Sequence, residues 1–257
     1  QYGSISQAEA DWGVPVPRTS SGQVTGPSNQ QLDQDGPWRA MVAAYRRFVD
    51  DFVGKKHLEA AEFVRSLDSS HLVSFRMGGD GGNPTAPGRV FGYDFKGLAP
   101  SMDIMQPEGY GRIGDWEKVK PGMFTETYSR YAAPFCPVLW AEMGTQVWSG
   151  SNFEPSDVHL HFQADFYRDF FEMVRQSHAD GVVAWWFPGG YRFNEKSDFG
   201  ILNPDYSDRP VTSVIREYAP ILTNRPARPA LDYWIEIDRD RDSRGLFGIY
   251  ANAKDEY

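Results

Sequence analysis

Segments in which apolar residues recur every three or four positions alternate along the chain with short continuous apolar runs. The recurring pattern predicts amphipathic helices over residues 36–56, 57–68, 158–179 and 210–222. The predicted apolar face of the first helix consists of Trp38, Met41, Val42, Tyr45, Phe48, Val49 and Phe52. The faces of the last two consist of Phe162, Phe166, Phe170 and Val174, and of Val211, Val214, Ile215, Tyr218 and Ile221.

The continuous apolar runs predict buried strands at 69–79, 136–144 and 180–190, and residues 101–111 predict a further strand with a loop at its end. Helical or partly helical stretches follow these runs, and this order predicts a parallel sheet with helical crossovers. A doubly wound open sheet and part of a (β/α)8 barrel both fit the pattern. No glycine-rich phosphate loop of the dinucleotide-binding type follows any of the runs. The predicted fold class is therefore α/β, with a (β/α)8 TIM barrel as the better fit.

Polar and aromatic residues stand at the ends of these predicted strands, where barrel enzymes carry their active sites. They are Arg76 and Asp80, Glu108 and Tyr110, Glu142, and Trp185 and Trp186. Glu142 closes the apolar run "PVLWAEMG", and a carboxylate in that place costs desolvation energy unless it is paired, hydrogen-bonded or needed. Glu142 is thus the first candidate for a catalytic group, with a salt-bridged structural carboxylate as the alternative.

Composition and charge exclude several classes of function. The 257 residues carry a net charge of -9 without a basic stripe, which argues against a nucleic-acid partner. One cysteine, Cys136, excludes an internal disulfide and a multi-cysteine metal site. No apolar run approaches the length of a membrane span, so no membrane partner is predicted. The histidines are scattered, and we predict no metal site and no cofactor.

The run "PVLWAEMG" resembles the seventh-strand motif of clan-A retaining glycoside hydrolases, in which a glutamate closes the strand. "GVVAWWFPGGYRFNEKSDFGILNPD" resembles the eighth strand and its loop in the same enzymes. The resemblance covers roughly residues 60–222 and implies the C-terminal half of the barrel, strands five to eight. It implies a domain at 1–222, followed at 223–257 by a linker and the start of a β-rich module.

The resemblance also implies roles for individual residues. Glu142 corresponds to the nucleophile, and the hydroxyl of Tyr110 could hydrogen-bond its carboxylate and hold it ionised. One of Trp185 and Trp186 would stack on the sugar, because neighbouring strand residues face opposite ways, and the family pattern favours Trp186. Further substrate-binding candidates are Glu108, Asp80 and Trp148, with Arg76 as another possible hydroxyl ligand. Asp198 is a further candidate for contact with the sugar, and the alternative role for it is a cap or loop anchor before the last helix.

The second carboxylate of such an enzyme, the acid/base, belongs at the end of strand four. The chain opens "QYGS", which places Gln1 where related β-galactosidases have that glutamate. Gln1 could be a departure from the family or an engineered change, or the match could be accidental, with the acid upstream. An amide cannot act as a general acid, so Gln1 is not counted as one.

The leading hypothesis is a retaining β-glycoside hydrolase that acts on an oligosaccharide or polysaccharide, either exo-acting and β-galactosidase-like or an endo-acting glucanase or mannanase. The alternative is a non-catalytic carbohydrate-binding barrel that keeps the aromatic platform. An aldolase or isomerase would need a lysine or phosphate loop that is not found. Residues 11–35 predict a long surface loop, and both ends suggest a piece of a longer protein. The N-terminal half of the barrel is therefore an expected partner.

Overall fold

The computed structural model describes residues 2–78, 85, 93–148, 153–230 and 233–256. These residues form two compact units. The first, here called the helical unit, comprises the described parts of residues 1–74, 79–103 and 231–257. The second, the strand unit, comprises residues 75–78 and 104–230.

Most of the regular structure is helical, with a small parallel sheet in the strand unit. The described elements are α1 (Ile5–Trp12), α2 (Asn29–Asp33), α3 (Arg39–Leu67), α4 (Phe95–Leu98), α5 (Trp116–Val119), α6 (Gly122–Ala132), β1 (Leu139–Met143), α7 (Asp157–Ser177), β2 (Gly181–Ala184), α8 (Pro210–Thr223) and α9 (Leu246–Ala253). A 3₁₀ turn, Ala99–Ser101, follows α4 directly.

The helical unit is built on α3, which is one continuous helix of 29 residues where the sequence predicted two in succession. Met41 and Val42 are buried, as predicted, and form a small core with Leu32 of α2. Trp38 and Tyr45 of the predicted face pack against this core. The predicted face is wrong at Phe48 and Phe52, which are exposed and stack on one another.

Two charged residues, Arg46 and Asp50, are also buried on α3, because distant parts of the chain supply their partners. Arg46 donates to the carbonyl oxygens of Leu32 and Ser243, at 3.2 and 3.0 Å. Asp50 forms an ion pair with Arg239 and accepts a hydrogen bond from the backbone of Asp94. Paired in this way, the two side chains can be buried without an uncompensated loss of hydration.

The strand unit contains parallel segments arranged side by side in chain order. β1 pairs with β2 through Leu139 opposite Gly181 and Trp140 opposite Val182. On its other side the β1 segment pairs with residues 105–108, and Met77 pairs in turn with Pro107, all in the parallel sense. The predicted parallel strands with a helical crossover are therefore confirmed for β1, α7 and β2.

The core of the strand unit lies between the sheet and helices α7 and α8. α7 begins after its cap Ser156 and buries Phe166, Phe170 and Val174 of the predicted stripe. The ring of Trp140 from β1 meets Phe170 edge-to-face at a centroid distance of 5.2 Å. α8 adds the predicted Val211, Val214 and Tyr218.

Several predicted strands and loops are corrected. In the run at 69–79 the pairing is confined, among the described residues, to Met77, and Leu72 is exposed. The run at 180–190 is not buried on both faces, since Val183 is exposed. The predicted loop at 11–35 contains α2, for which Ser28 and Gln31 form a capping box.

Within the predicted start of a β-rich module at 223–257, residues 233–245 form no strand and α9 follows them as a helix. The closed barrel and a domain boundary after residue 222 stay predictions. Among the described helices, none combines the length and apolar character that a membrane crossing requires.

Candidate active site

Glu142 lies near the carboxyl end of β1, beside Glu108 on the neighbouring parallel segment. The backbone N–H of Gly109 donates to the carbonyl oxygen of Glu142 at 2.6 Å, which fixes the register of the two segments. The Glu142 side chain is only 12% exposed. A carboxylate this sheltered needs donors, and Tyr110 and Arg76 supply them.

Tyr110 holds one oxygen of the Glu142 carboxylate. Its hydroxyl donates to Oε2 at 3.2 Å. Burial and the nearby charge of Glu142 raise the pKa of Tyr110 well above its usual range. The hydroxyl therefore stays protonated and remains a donor.

Arg76 holds the other oxygen and a second carboxylate as well. Its Nη1 contacts Oε1 of Glu142, and its Nε lies 2.7 Å from Oε1 of Glu108. The hydrogen bond to Glu142 raises the pKa of Arg76 further above its already high usual value. Burial raises the pKa of Glu108, against the opposing effect of the Arg76 charge.

The two tryptophans follow β2 and approach β1 closely. The backbone N–H of Trp185 donates to the carbonyl of Met143 at 2.8 Å. A Cβ placed on Gly144 would come within 2.5 Å of the Trp185 carbonyl oxygen. The glycine two residues after Glu142 is therefore required by the close approach of the neighbouring backbone.

Trp186 is buried, with 5% of its surface exposed, and its ring is covered by Arg192. The guanidinium carbon of Arg192 lies 3.4 Å from the ring centroid. Phe199 packs against Trp186 at 5.6 Å and against Tyr110 at 6.3 Å, which links the tryptophan to the residues around Glu142. Trp185 is partly exposed.

Trp148 belongs to a separate aromatic cluster formed by the segments that follow β1 and β2. Its ring stacks on Phe153 at 6.1 Å and meets Tyr191 at 5.0 Å. Phe193 packs against Tyr191 at 5.1 Å and is largely exposed, as is Phe153. These rings offer an aromatic surface on the loops that leave the two strands.

Asp198 anchors the loop between β2 and α8. Its carboxylate accepts from both terminal nitrogens of buried Arg209, at 3.1 and 2.8 Å. It also accepts from the backbone N–H groups of Gly190 and Gly200. Burial raises the pKa of Asp198, but these bonds outweigh that effect and bring it below its ordinary value. Of the two roles weighed from the sequence, the geometry corresponds to the loop anchor.

The structure thus brings Arg76, Glu108, Tyr110 and Glu142 together, and connects Trp186 to them through Phe199. Asp80 and Gln1 lie outside the described residues. In the part of the chain that is described, no group of three or more His, Cys, Asp and Glu side chains could hold a metal ion.

Two features of the site were missed by sequence reasoning. Arg76 was considered only as a ligand for sugar hydroxyls, and Arg192 was not considered. The position of Arg76 at a strand end was the available signal, but its contact with two carboxylates depends on three segments lying side by side.

No family model and no curated protein matches the chain. Among solved structures it resembles glycoside hydrolases, the class that its motifs resemble. A β-glucuronidase of an uncultured Clostridium species matches at 13% identity and a TM-score of 0.47, over 63% of this chain and 28% of that one. The β-D-glucuronidase of Dictyoglomus thermophilum matches at 14% identity and a TM-score of 0.48, over 68% of this chain and 29% of that one. An endo-β-1,4-mannanase of Thermotoga petrophila matches at 18% identity and a TM-score of 0.46, over 70% of this chain and 42% of that one.

In each of these three matches the chain spans less than half of the other protein's length. With TM-scores below 0.5, the likeness does not decide the function. The function has to be argued from the site.

Proposed function

We propose that this chain carries the nucleophile side of a retaining β-glycoside hydrolase site, built at the carboxyl ends of strands five to eight of a (β/α)8 barrel. Glu142 is the nucleophile. The substrate is a β-linked oligosaccharide or polysaccharide, and the other half of the barrel comes from the same parent protein. The observation that carries the proposal is the Glu142 carboxylate, sheltered near a strand end with each oxygen held by a separate donor.

In the proposed reaction a Glu142 oxygen attacks the anomeric carbon while an acid protonates the departing glycosidic oxygen. The resulting glycosyl ester is then cleaved by water, which the same acid, now a base, deprotonates. Each carboxylate oxygen has two lone pairs, so an oxygen that accepts one hydrogen bond keeps a lone pair for attack. Tyr110 and Arg76 hold in place the carboxylate that the first step consumes and the second step regenerates.

The acid/base glutamate is proposed at the end of strand four. It lies upstream of this chain or, if Gln1 is an engineered change, at position 1 of the natural protein. It would have to lie about 5–5.5 Å from the Glu142 carboxylate for a retaining mechanism. Trp186 is proposed as the aromatic floor of the sugar site. The cluster around Trp148 supports binding of a second sugar ring, because exposed aromatic faces stack on sugars.

The test is covalent labelling of the intact protein with a panel of 2-fluoro-glycosides, followed by peptide mass spectrometry. We expect a label on Glu142 and loss of labelling in Glu142→Gln. In Glu142→Gly, azide should restore turnover of an activated glycoside and give the glycosyl azide of inverted configuration.

Glu217→Gln is the matched control, since Glu217 is an exposed glutamate of α8 whose partner is Arg168. It should be labelled at Glu142 like the wild type. A label on another carboxylate would contradict the assignment of Glu142. Sugar binding without labelling by any member of the panel would favour the non-catalytic carbohydrate-binding barrel.

A further inference from the structure

Two carboxylates lie side by side in the site, and one guanidinium contacts both. Glu108 and Glu142 are paired across neighbouring parallel segments. Adjacent strands are about 4.8 Å apart, so like charges at paired positions repel each other. Arg76 reaches both groups, with Nε at Glu108 and Nη1 at Glu142. Arg76 therefore offsets part of the repulsion between the two carboxylates.

The three side chains differ in their exposure to solvent. The side chain of Arg76 is 55% exposed, whereas that of Glu108 is 9% exposed. A long side chain at a surface loses rotamer freedom when it is held in one place, so a single contact is a poor restraint. Glu108 supplies the second contact from a sheltered position. It thereby restrains the guanidinium at Nε, a nitrogen other than the one that contacts Glu142.

We propose that Glu108 is a positioning residue that holds Arg76 against Glu142 and acts on Glu142 through Arg76. This inference rests on the proposed function, because it concerns the nucleophile of that reaction. The Glu108 carboxylate orients the guanidinium, and the guanidinium in turn holds the Glu142 carboxylate in the orientation that attack requires. Neither Glu108 nor Arg76 exchanges a proton with the substrate.

Two other roles for Glu108 predict different behaviour. As a bare negative charge next to Glu142, it would make ionisation of the nucleophile harder, and its removal would make ionisation easier. As a proton donor, it would matter most for substrates with poor leaving groups, because these need protonation of the departing oxygen. The positioning role predicts that removal of Glu108 makes ionisation of Glu142 harder. It also predicts a loss of activity that does not depend on the leaving group.

The experiment measures kcat/KM against pH for intact wild-type protein, Glu108→Gln, Arg76→Gln and the double variant. Two aryl glycosides are used, one with a good and one with a poor leaving group. In both single variants the acidic limb of the profile should move to higher pH, because a carboxylate that loses a cationic partner is protonated more easily. At a pH below the limb, kcat/KM of Arg76→Gln should be about tenfold lower than that of the wild type. Glu108→Gln should lose equally with both substrates, and the double variant should match Arg76→Gln, since the two residues act in series.

Arg76→Lys keeps the cation and should bring the limb back towards the wild-type position. Glu217→Gln again serves as a control at an exposed ion pair and should leave the profile unchanged. Melting temperatures and the extent of 2-fluoro-glycoside labelling on the alkaline plateau show that each variant is folded. A downward shift in Glu108→Gln, an unchanged limb, or a loss confined to the poor leaving group would overturn the inference. Failure of the proposed function looks different, because the wild type itself would then hydrolyse neither substrate.

Discussion

The hydroxyl of Tyr110 donates a hydrogen bond to Oε2 of Glu142 across two neighbouring parallel segments, at 3.2 Å. Arg76 occupies the other oxygen, Oε1. Glu142 is thus restrained by a neutral donor on one side and a cation on the other. The neutral donor can be removed without changing the charge of the site, which makes its contribution measurable.

Tyr110→Phe removes that donor and leaves the ring in place. A carboxylate that loses a hydrogen-bond donor is protonated at higher pH, so the acidic limb of kcat/KM should move upward. A hydrogen bond to a charged group contributes a net free energy of about 1.5–3 kcal/mol. We therefore expect kcat/KM to fall roughly 10- to 100-fold. Tyr206→Phe, at an exposed tyrosine of the same unit, should change neither quantity. Equal profiles for Tyr110→Phe and wild type would mean that this hydrogen bond has no part in catalysis.

Asp198→Asn should destabilise the protein, because it leaves the buried guanidinium of Arg209 without its counter-charge. Breaking a buried pair in this way costs about 3 kcal/mol or more, which corresponds to a fall in Tm of roughly 6–12 °C. The folded-state pKa of Asp198 is depressed. The stabilisation is therefore complete above the unfolded value of about 4 and is lost as the pH falls through the folded-state pKa.

Urea unfolding at a series of pH values tests this prediction. The difference in unfolding free energy between wild type and Asp198→Asn should be largest near neutral pH and shrink in acid. Asp208→Asn is the matched control, because Asp208 pairs with Arg216 in an exposed position. Exposed pairs contribute up to about 1 kcal/mol, so its effect should be small. A difference that does not vary with pH would show that loop geometry, and not the ion pair, supplies the stability.

The sequence predicted best the elements whose signal is local. The apolar run that ends at Glu142 predicted β1, and the four-residue spacing of Phe166, Phe170 and Val174 predicted the buried face of α7. In both cases the residues that are buried are also apolar, so the pattern and the packing agree.

The errors arise where burial depends on partners far away in the sequence. Arg46 and Asp50 are buried on α3 because Ser243 and Arg239, nearly 200 residues later, provide their partners. Periodicity of apolar residues gives no information on such pairs, so the predicted stripe was wrong at Phe48 and Phe52. The contact of Arg76 with both Glu108 and Glu142 is of the same kind, since it exists only when three separate segments align.

The guanidinium of Arg192 stacks on the ring of Trp186, so a side chain of the same protein occupies the surface proposed to bind the sugar. A sugar that stacks on this ring has to displace the guanidinium, which then competes with the substrate. The stacking of a cation on tryptophan contributes about 0.5–2 kcal/mol. Arg192→Ala should therefore lower KM about 2- to 30-fold and leave kcat nearly unchanged, whereas Trp186→Ala should raise KM. Arg168→Ala, at an exposed ion pair with Glu217, should change neither constant.

Tryptophan fluorescence provides a readout that is independent of turnover. Removal of the Arg192 side chain should expose Trp186 to water and shift the emission to longer wavelength, and a bound oligosaccharide should reverse the shift. The same titration in Trp186→Ala should show no such reversal. If Arg192→Ala instead raises KM as much as Trp186→Ala does, the guanidinium itself binds the substrate. The sugar would then contact the guanidinium of Arg192, and the ring of Trp186 would hold that guanidinium in place.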